Sequence, residues 1–170
     1  GESSSFGRPL KASDPSKPSD PYAISKAEAE SELLKIASET DLEVVIIRPP
    51  LVYGSGVKAN FSLLVNAIKM RLPLPFGLIT QNRRSMVSLQ NLVDFIFLCL
   101  KAPKAKNQIF MISDGEDVST ADLTMRIAKS LGFKSYLIPI PIPVLQNLAF
   151  IFGLKSSMAR LSGSLQVDIN

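Results

Sequence analysis

Segment 20–48 constrains the fold most, because it joins a capped helix to a strand with no polar face. Asp20 is a favoured N-cap and Pro21 suits the first helical position, so a helix is predicted to run to about Glu39. An apolar stripe along it comprises Ile24, Ala27 and Leu34. Val44–Ile47 are four consecutive β-branched residues without alternation, typical of a strand buried on both faces of a parallel sheet. A helix followed by such a strand predicts an α/β fold.

The rest of the chain continues to alternate helical and extended segments, without internal repeats. Helices are predicted for "NFSLLVNAIKMR", from about Ser88 through "LVDFIFLCLKA", and from a cap at Ser119 or Thr120 up to Gly132. Short extended pieces are predicted for "LPLPFG", "RRSMV" and "NQIFMIS", and a turn for "VYGSG". Residues 1–20 are rich in Ser, Pro and Lys and are expected to form an irregular arm or loop.

Residues 137–154 form an 18-residue stretch without a charged side chain. A segment lying on a membrane surface is one interpretation. Three prolines at alternate positions, a short helical part and the lack of a Lys/Arg-rich face favour packing within the protein instead. We therefore expect no membrane partner, and the sequence shows no signal peptide or membrane-spanning run.

The composition excludes several kinds of site. The 170 residues contain no histidine and a single cysteine, Cys99, so there is no internal disulfide, no Ser-His-Asp catalysis and no multi-cysteine metal site. Cys99 lies in the apolar run "FIFLCL" and is predicted to be a buried structural thiol. A general acid or base must therefore be Tyr, Lys, Asp or Glu. The lack of paired cysteines favours a cytoplasmic protein.

The charge is concentrated in the middle of the chain. The net charge is +4, but residues 58–113 hold eight basic side chains and one acidic one, Asp94. Such a segment suits an anionic ligand. Its basic residues are not interleaved with aromatics and the chain has no tryptophan, so a phosphate-bearing small molecule is favoured over nucleic acid.

Tyr22 and Lys26 stand four residues apart near the start of the first predicted helix, which places them on one helix face. A free phenol has a pKa of about 10, and a neighbouring ammonium favours the phenolate. Such a pair can shuttle a proton in alcohol–ketone interconversion while a nicotinamide cofactor carries the hydride. The spacing alone is also compatible with an exposed tyrosine and a solvated lysine.

Motifs in the remaining chain extend this interpretation. After Tyr-x-x-x-Lys come "RPPLVYGSG" at the end of the buried strand and then "NRRSMVSLQNLVD". Together they resemble the extended short-chain dehydrogenase/reductase family, in its nucleotide-sugar (UDP-glucose/galactose 4-epimerase-like) epimerase/dehydratase branch. The resemblance covers nearly all of the chain from Ser19 onwards. It implies the C-terminal part of an extended Rossmann-type, doubly wound domain plus a small α+β substrate-binding domain.

The resemblance also implies roles in catalysis and cofactor binding. Tyr22 would be the catalytic acid/base, and Lys26 would bind the nicotinamide ribose and favour the phenolate. Pro49, at the end of the strand, would lie beside the nicotinamide of NAD or NADP. No metal is implied.

Six further positions would bind the substrate, a nucleotide-diphosphate sugar and in particular a UDP-sugar. Asn60 and Phe61 open a helix whose free N–H groups suit phosphate. Arg84 would clamp the diphosphate, for which a guanidinium fork is suited, and Arg160 would add a second phosphate contact. Leu74 and Phe76 would border the base. Each has a plainer alternative: an N-cap for Asn60, a core position for Phe76 and a solvated charge for either arginine.

The chain departs from the family pattern in three places. It has no G-x-G-x-x-G and no preceding β-α-β unit, so it is expected to be the C-terminal half of an enzyme and inactive alone. Residues 1–57 are assigned to the dinucleotide-binding domain, and residues 58–170 mainly to the substrate domain, with segments returning to the sheet. Leu51 stands where many sugar epimerases carry Asn, which favours relatives acting on other sugars. "VYGSG" and Asn91 replace V-Y-G-P-G and an Asp.

The function implied is an NAD(P)-dependent nucleotide-sugar 4-epimerase that makes polysaccharide precursors. Two alternatives remain: a nucleotide-4-keto-6-deoxy-sugar 4-reductase, and a non-catalytic nucleotide-binding relative. A homodimer is also expected from the resemblance.

Overall fold

The computed structural model describes residues 8–18, 20–56 and 60–169, excluding the side chain of Asn60. The helices are α1 (Pro21–Glu39), α2 (Asn60–Lys69), α3 (Leu89–Lys101), α4 (Thr120–Ser130), α5 (Ile142–Ile151) and α6 (Lys155–Ser162). The strands are β1 (Val45–Arg48), β2 (Leu51–Tyr53), β3 (Arg84–Ser88), β4 (Gln108–Met111) and β5 (Asp117–Val118), with a short 3-10 helix at Pro103–Ala105. Parallel strands and interleaved helices confirm the α/β fold class.

The described residues form two compact units, each discontinuous in sequence. The first unit comprises the described residues within 1–54, 85–115 and 165–170, and the second those within 55–84 and 116–164. The first unit contains the parallel pairs β1–β4 and β2–β3. The C-terminal segment joins it through Leu10 N, which donates to Gln166 O at 2.8 Å, and Ser85 N, which donates to Leu165 O at 2.8 Å.

The register of β1 against β4 is fixed at its start by Asn107. Its backbone N–H donates to Val44 O at 2.7 Å, and its side-chain Oδ1 accepts from Val44 N at 3.0 Å. Asn107 has φ +57°, a left-handed conformation that Asn tolerates better than most residues. The two strands then pair from Val45 opposite Gln108 to Arg48 opposite Met111. Phe95 of α3 meets Phe110 of β4 edge-on, with ring centroids 5.5 Å apart, and so packs that helix against the sheet.

One burial expectation for the first unit is wrong. Val44 is buried, but Val45–Arg48 are only half-buried, because β4 is the one strand that pairs with β1 among the described residues. The apolar stripe of α1 is not covered either: no residue of this helix is buried, and Ile24 is exposed.

The second unit is built on two apolar clusters. In one, Ile68 of α2 packs with Ile127 and Ala128 of α4. In the other, Ile79 packs with Leu145 and Ala149 of α5 and with Met158 of α6. These clusters, rather than a sheet, hold the unit together.

Segment 137–154 packs along only one of its faces. Leu145 and Ala149 are buried, which agrees with the expectation of packing within the protein. Phe150, Ile151 and Phe152 are exposed, and there the expectation is wrong, because the side of α5 away from Ile79 has no covering element among the described residues. Within residues 8–18, 20–56 and 60–169, no helix combines the length and hydropathy that crossing a bilayer requires.

Candidate functional site

The first two turns of α1 present Tyr22 and Lys26 together. Asp20 caps the helix by accepting a hydrogen bond from Ala23 N at 2.8 Å, and Pro21 occupies the first turn. Tyr22 is 73% exposed, and the Lys26 Nζ lies 5.7 Å from the centroid of its ring. This is cation–π distance and keeps a positive charge beside the phenol. The arrangement therefore offers an exposed tyrosine with a cation over its ring, while a catalytic role stays a prediction.

Arg48, which sequence reasoning did not select, anchors α1 to the sheet. Its Nε donates to Glu30 Oε2 at 3.2 Å, and its Nη2 pairs with the other carboxylate oxygen of Glu30. Its Nη1 donates to the carbonyls of Ala12 and Asp14 at 3.1 and 3.3 Å. One partly buried guanidinium thus fixes α1 and the preceding arm against β1. Pro49 follows directly and is exposed at the carboxyl end of the strand, where α/β sheets bind ligands.

Asp114 joins the carboxyl ends of β2 and β3. Its carboxylate accepts hydrogen bonds from Tyr53 Oη at 2.8 Å, Ser88 N at 3.0 Å and Asn91 Nδ2 at 2.7 Å. The hydrogen bond to Asp114 raises the pKa of Tyr53 above its ordinary value. The amide of Asn91 can donate where a carboxylate could not, which explains how this chain accommodates Asn at a position where the family pattern has Asp.

In the second unit, Arg84 begins β3 as a partly buried cation. One of its terminal N–H groups donates to the carbonyl of Arg160 in α6. Its Nε is buried and has no hydrogen-bond partner among the described residues. Burial lowers the pKa of the Arg84 guanidinium. A desolvated cation with an unmet donor is suited to an anionic ligand. The Arg160 side chain is exposed, so the structure brings its backbone, and not a second charge, to Arg84.

Asn82 supports this arrangement and was also missed by sequence reasoning. The residue is 6% exposed; its Nδ2 donates to Thr120 Oγ1 at 3.0 Å, Leu161 O at 3.2 Å and Gly163 O at 3.3 Å. Its Oδ1 accepts from Thr120 N at 3.1 Å. Asn82, two residues before Arg84, thereby joins the start of α4 to the end of α6. The available signal was a lone Asn directly before two arginines in "QNRRS".

The other predicted substrate residues lie in or beside the two apolar clusters. Asn60 opens α2, but its side chain is outside the described residues. Phe61 and Leu74 both pack on the Ile68 cluster, and Phe76 packs on the other one. Leu74 is also fixed by its backbone, which bonds to Tyr136 and Ile138. Their contact with a base or sugar stays a prediction. Among the described residues, no cluster of three or more His, Cys, Asp or Glu side chains could hold a metal ion.

Comparisons with known proteins give the chain a context. Residues 2–113 match the profile of the NAD dependent epimerase/dehydratase family. All 170 residues align at 48% identity with 52% of a UDP-glucose 4-epimerase of Vibrio cholerae. An N-acetyl-alpha-D-glucosaminyl-diphospho-ditrans,octacis-undecaprenol 4-epimerase of Escherichia coli O157:H7 is 29% identical to this chain. That alignment covers 81% of this chain and 43% of the relative. The chain spans about half the length of these curated relatives.

The fold also has solved counterparts. A UDP-glucose 4-epimerase of Thermotoga maritima, solved with UDP-glucose, superposes with a TM-score of 0.71 at 16% identity. The match covers 99% of this chain and 51% of that one. At this identity the likeness shows the fold alone, and it supports the Rossmann-type assignment.

Proposed function

The chain belongs to the NAD dependent epimerase/dehydratase family, and we propose that the complete protein carrying it is an NAD(P)-dependent nucleotide-sugar 4-epimerase acting on a UDP-hexose or UDP-N-acetylhexosamine. The observation that carries the proposal is the exposed Tyr22 side chain with the Lys26 ammonium 5.7 Å from the centroid of its ring. The 48% identity to a relative named UDP-glucose 4-epimerase supports the choice of reaction. Precursors of polysaccharide are the proposed products, the cytoplasm the proposed location and a homodimer the proposed assembly.

The residues present fit one end of the cofactor. Tyr22 and Lys26 offer a hydroxyl and an ammonium for a nicotinamide ribose, and Pro49 is exposed at the carboxyl end of β1. The 170 residues contain no G-x-G-x-x-G, so the residues that would cradle the dinucleotide phosphates are not among them. When bound, the cofactor takes a hydride from the sugar carbon and returns it. The isolated chain should therefore lack activity.

Tyr22 carries the proton in this proposal. As phenolate it accepts the proton of the C4 hydroxyl while the C4 hydride leaves, which turns the alcohol into a ketone. Lys26 stabilises the phenolate electrostatically. After the ketone has rotated in the site, Tyr22 returns the same proton to the ketone oxygen as the hydride comes back to the opposite face of the C4 carbon. The sugar regains the one proton and the one hydride that it lost, so the cofactor is not consumed.

Arg84 is the proposed anchor for the diphosphate. Its buried Nε lacks a partner among the described residues, so an anionic oxygen would satisfy a donor that otherwise costs desolvation energy. The second unit spans residues with ten basic and three acidic side chains, a balance that attracts a nucleoside diphosphate. Asn60, Phe61, Leu74, Phe76 and Arg160 keep their proposed substrate contacts.

Two alternatives follow from the sequence. Leu51 is half-buried in β2, where many sugar epimerases have Asn, and this favours a 4-keto-6-deoxy-sugar reductase as the second candidate. A non-catalytic nucleotide-binding protein is the third. The retained Tyr22 and Lys26 argue against a pure binding role.

The test uses the complete protein with trace NAD and a panel of UDP-hexoses and UDP-N-acetylhexosamines, with the products identified by NMR. We expect a C4 epimer without net change in the cofactor. Tyr22→Phe should lower turnover by roughly 10²–10⁴-fold and leave nucleotide-sugar affinity unchanged. Tyr136→Phe is the matched control, because Tyr136 is also exposed. Full turnover by Tyr22→Phe would refute the mechanism, and consumption of reduced cofactor on a 4-keto sugar would favour the reductase.

The diphosphate contact is tested separately by calorimetry with UDP. Arg84→Gln should weaken binding by roughly 10–100-fold, because charge-assisted hydrogen bonds are lost. The control is Arg83→Gln, whose guanidinium is exposed and donates to the backbone carbonyl of Thr80 at 3.0 Å. Equal losses in both variants would show that Arg84 has no specific role.

A further inference from the structure

Four apolar side chains are exposed together where α5 meets α6. We call Phe150, Ile151, Phe152 and Leu154 the α5–α6 tip; their exposed fractions are 70%, 74%, 71% and 55%. Scattered exposed apolar residues are ordinary on protein surfaces, whereas four within five consecutive positions at one turn are a candidate interaction site.

The tip stands on a fixed base. Gly153 makes the turn with φ +68°, and Leu154 N donates to Ala149 O at 2.6 Å. Leu145 and Ala149 of α5 and Met158 of α6 are buried together just behind the turn. The backbone hydrogen bonds and this core hold the four side chains outward as a preformed apolar surface.

Only positive charge surrounds the tip in sequence. Residues 123–164 contain Arg126, Lys129, Lys134, Lys155 and Arg160 and no acidic residue. Lys155 follows the tip directly, and neither it nor Arg160 has an ion pair among the described residues. Arg126 is paired with Glu116 and Asp122, whereas the tip is followed directly by Lys155, which is unpaired within the part of the chain that the structure describes, and an apolar surface with such a cation complements an anionic surface.

A groove beside the tip adds polar groups. It has a volume of about 310 Å³ and is lined by Gln146, Asn147, Phe150, Lys155, Met158 and Ala159. Two amides and an ammonium therefore stand next to an exposed aromatic ring. This combination can accept a phosphate headgroup while the ring enters the apolar layer.

We propose that the α5–α6 tip docks the protein on the surface of an anionic lipid bilayer, with its four apolar side chains in the interface and Lys155 at the lipid phosphates. Aromatic residues favour this interface, and burial of the apolar side chains supplies the attraction. A second copy of the chain is a poorer occupant, because a symmetric contact between two tips would bring together segments that carry only cations. The inference does not depend on the proposed catalytic activity.

The experiment measures co-sedimentation of the complete protein with vesicles of phosphatidylcholine, with and without phosphatidylglycerol. We expect binding to the anionic vesicles. Phe150→Glu/Phe152→Glu should lower the partition coefficient at least tenfold, and Lys155→Gln should lower it roughly fivefold on anionic vesicles only. Met70→Glu is the matched control, because Met70 is 70% exposed in the same unit and lies outside the tip. Thermal melting confirms that each variant is folded.

Three results would overturn the proposal. The first is that the folded wild-type protein binds neither kind of vesicle. This result would be obtained if other segments of the complete protein cover the tip. The second is an equal loss in Met70→Glu and in the double variant, since the effect would then be non-specific. The third is a concentration-dependent dimer, seen by sedimentation velocity, that the double variant abolishes without any change in vesicle binding. That result would assign the tip to a second copy.

Discussion

Asn82→Asp is the sharpest test of how the second unit is held together. The amide nitrogen of Asn82 donates to one hydroxyl and two carbonyl oxygens, at 3.0, 3.2 and 3.3 Å. An isosteric carboxylate removes those donors and places negative charge against the same oxygens. In the variant, Leu161 O would still accept a hydrogen bond from the Thr120 hydroxyl, which lies 2.6 Å away, whereas Gly163 O would lose the donor that Asn82 supplies.

The magnitude follows from these contacts. A buried acceptor without a donor costs about 1–3 kcal/mol, and an unpaired buried carboxylate adds to that cost. We expect Asn82→Asp to lower the free energy of unfolding by roughly 3–4 kcal/mol at neutral pH, equivalent to a Tm roughly 6–16 °C lower. Burial raises the pKa of a carboxyl group, so the introduced acid should regain a proton, and part of the stability, as the pH falls.

The assay is thermal unfolding at neutral and acid pH, together with hydrogen exchange of peptides containing Thr120 and Gly163. Asn66→Asp is the control, because Asn66 is exposed on α2 and undergoes the same change of charge. Faster exchange should be confined to peptides of the second unit. A Tm equal to that of Asn66→Asp at both pH values would refute the assigned role of Asn82.

Three further changes test local contacts. Asn91→Asp sets a second carboxylate against Asp114, where the amide now donates at 2.7 Å; urea unfolding should show a loss of roughly 0.5–1 kcal/mol, and unchanged stability would contradict the contact. Tyr53→Phe should be less stable than wild type by roughly 0.5 kcal/mol below pH 10, the ordinary pKa of the phenol. Because Asp114 raises the folded-state pKa of Tyr53, the difference should vanish as the pH rises through that raised value, and a pH-independent difference would count against it. Gly163→Ala would put a Cβ 2.7 Å from Ala159 O, so α6 must shift; calorimetry should show a loss of about 1–3 kcal/mol, and an unchanged melting curve would contradict this packing.

Local features of the chain were predictable because their causes are local. Asp20 and Ser119 cap α1 and α4 as expected, since each accepts a bond from an N–H three residues ahead, and Ser88 caps α3 in the same way at the predicted start of that helix. The helical period places Tyr22 beside Lys26 for the same reason. The family assignment from joint motifs is also confirmed.

The contacts that hold the candidate substrate residues were not predictable from pattern. Asn82 reaches partners 38, 79 and 81 residues away, and no short-range periodicity encodes such a set. Asp114 likewise meets Tyr53 across 61 residues. Asn82 opens the motif "NRRSMVSLQNLVD", but the family pattern assigns a role to Arg84 and none to Asn82, and Asp114 lies outside every quoted motif.

The sequence by itself determined α1 to α4, the caps at Asp20 and Ser119, the parallel-strand character and the Tyr22–Lys26 pair, because hydrogen bonds and side-chain periodicity within a few residues decide them. Only the tertiary structure decided which apolar faces are covered. Ala149 and Phe150 are apolar residues next to each other in α5, yet Ala149 is buried and Phe150 is exposed. The difference depends on which distant segment packs against each face, and burial, unlike capping, is a property of the assembled fold.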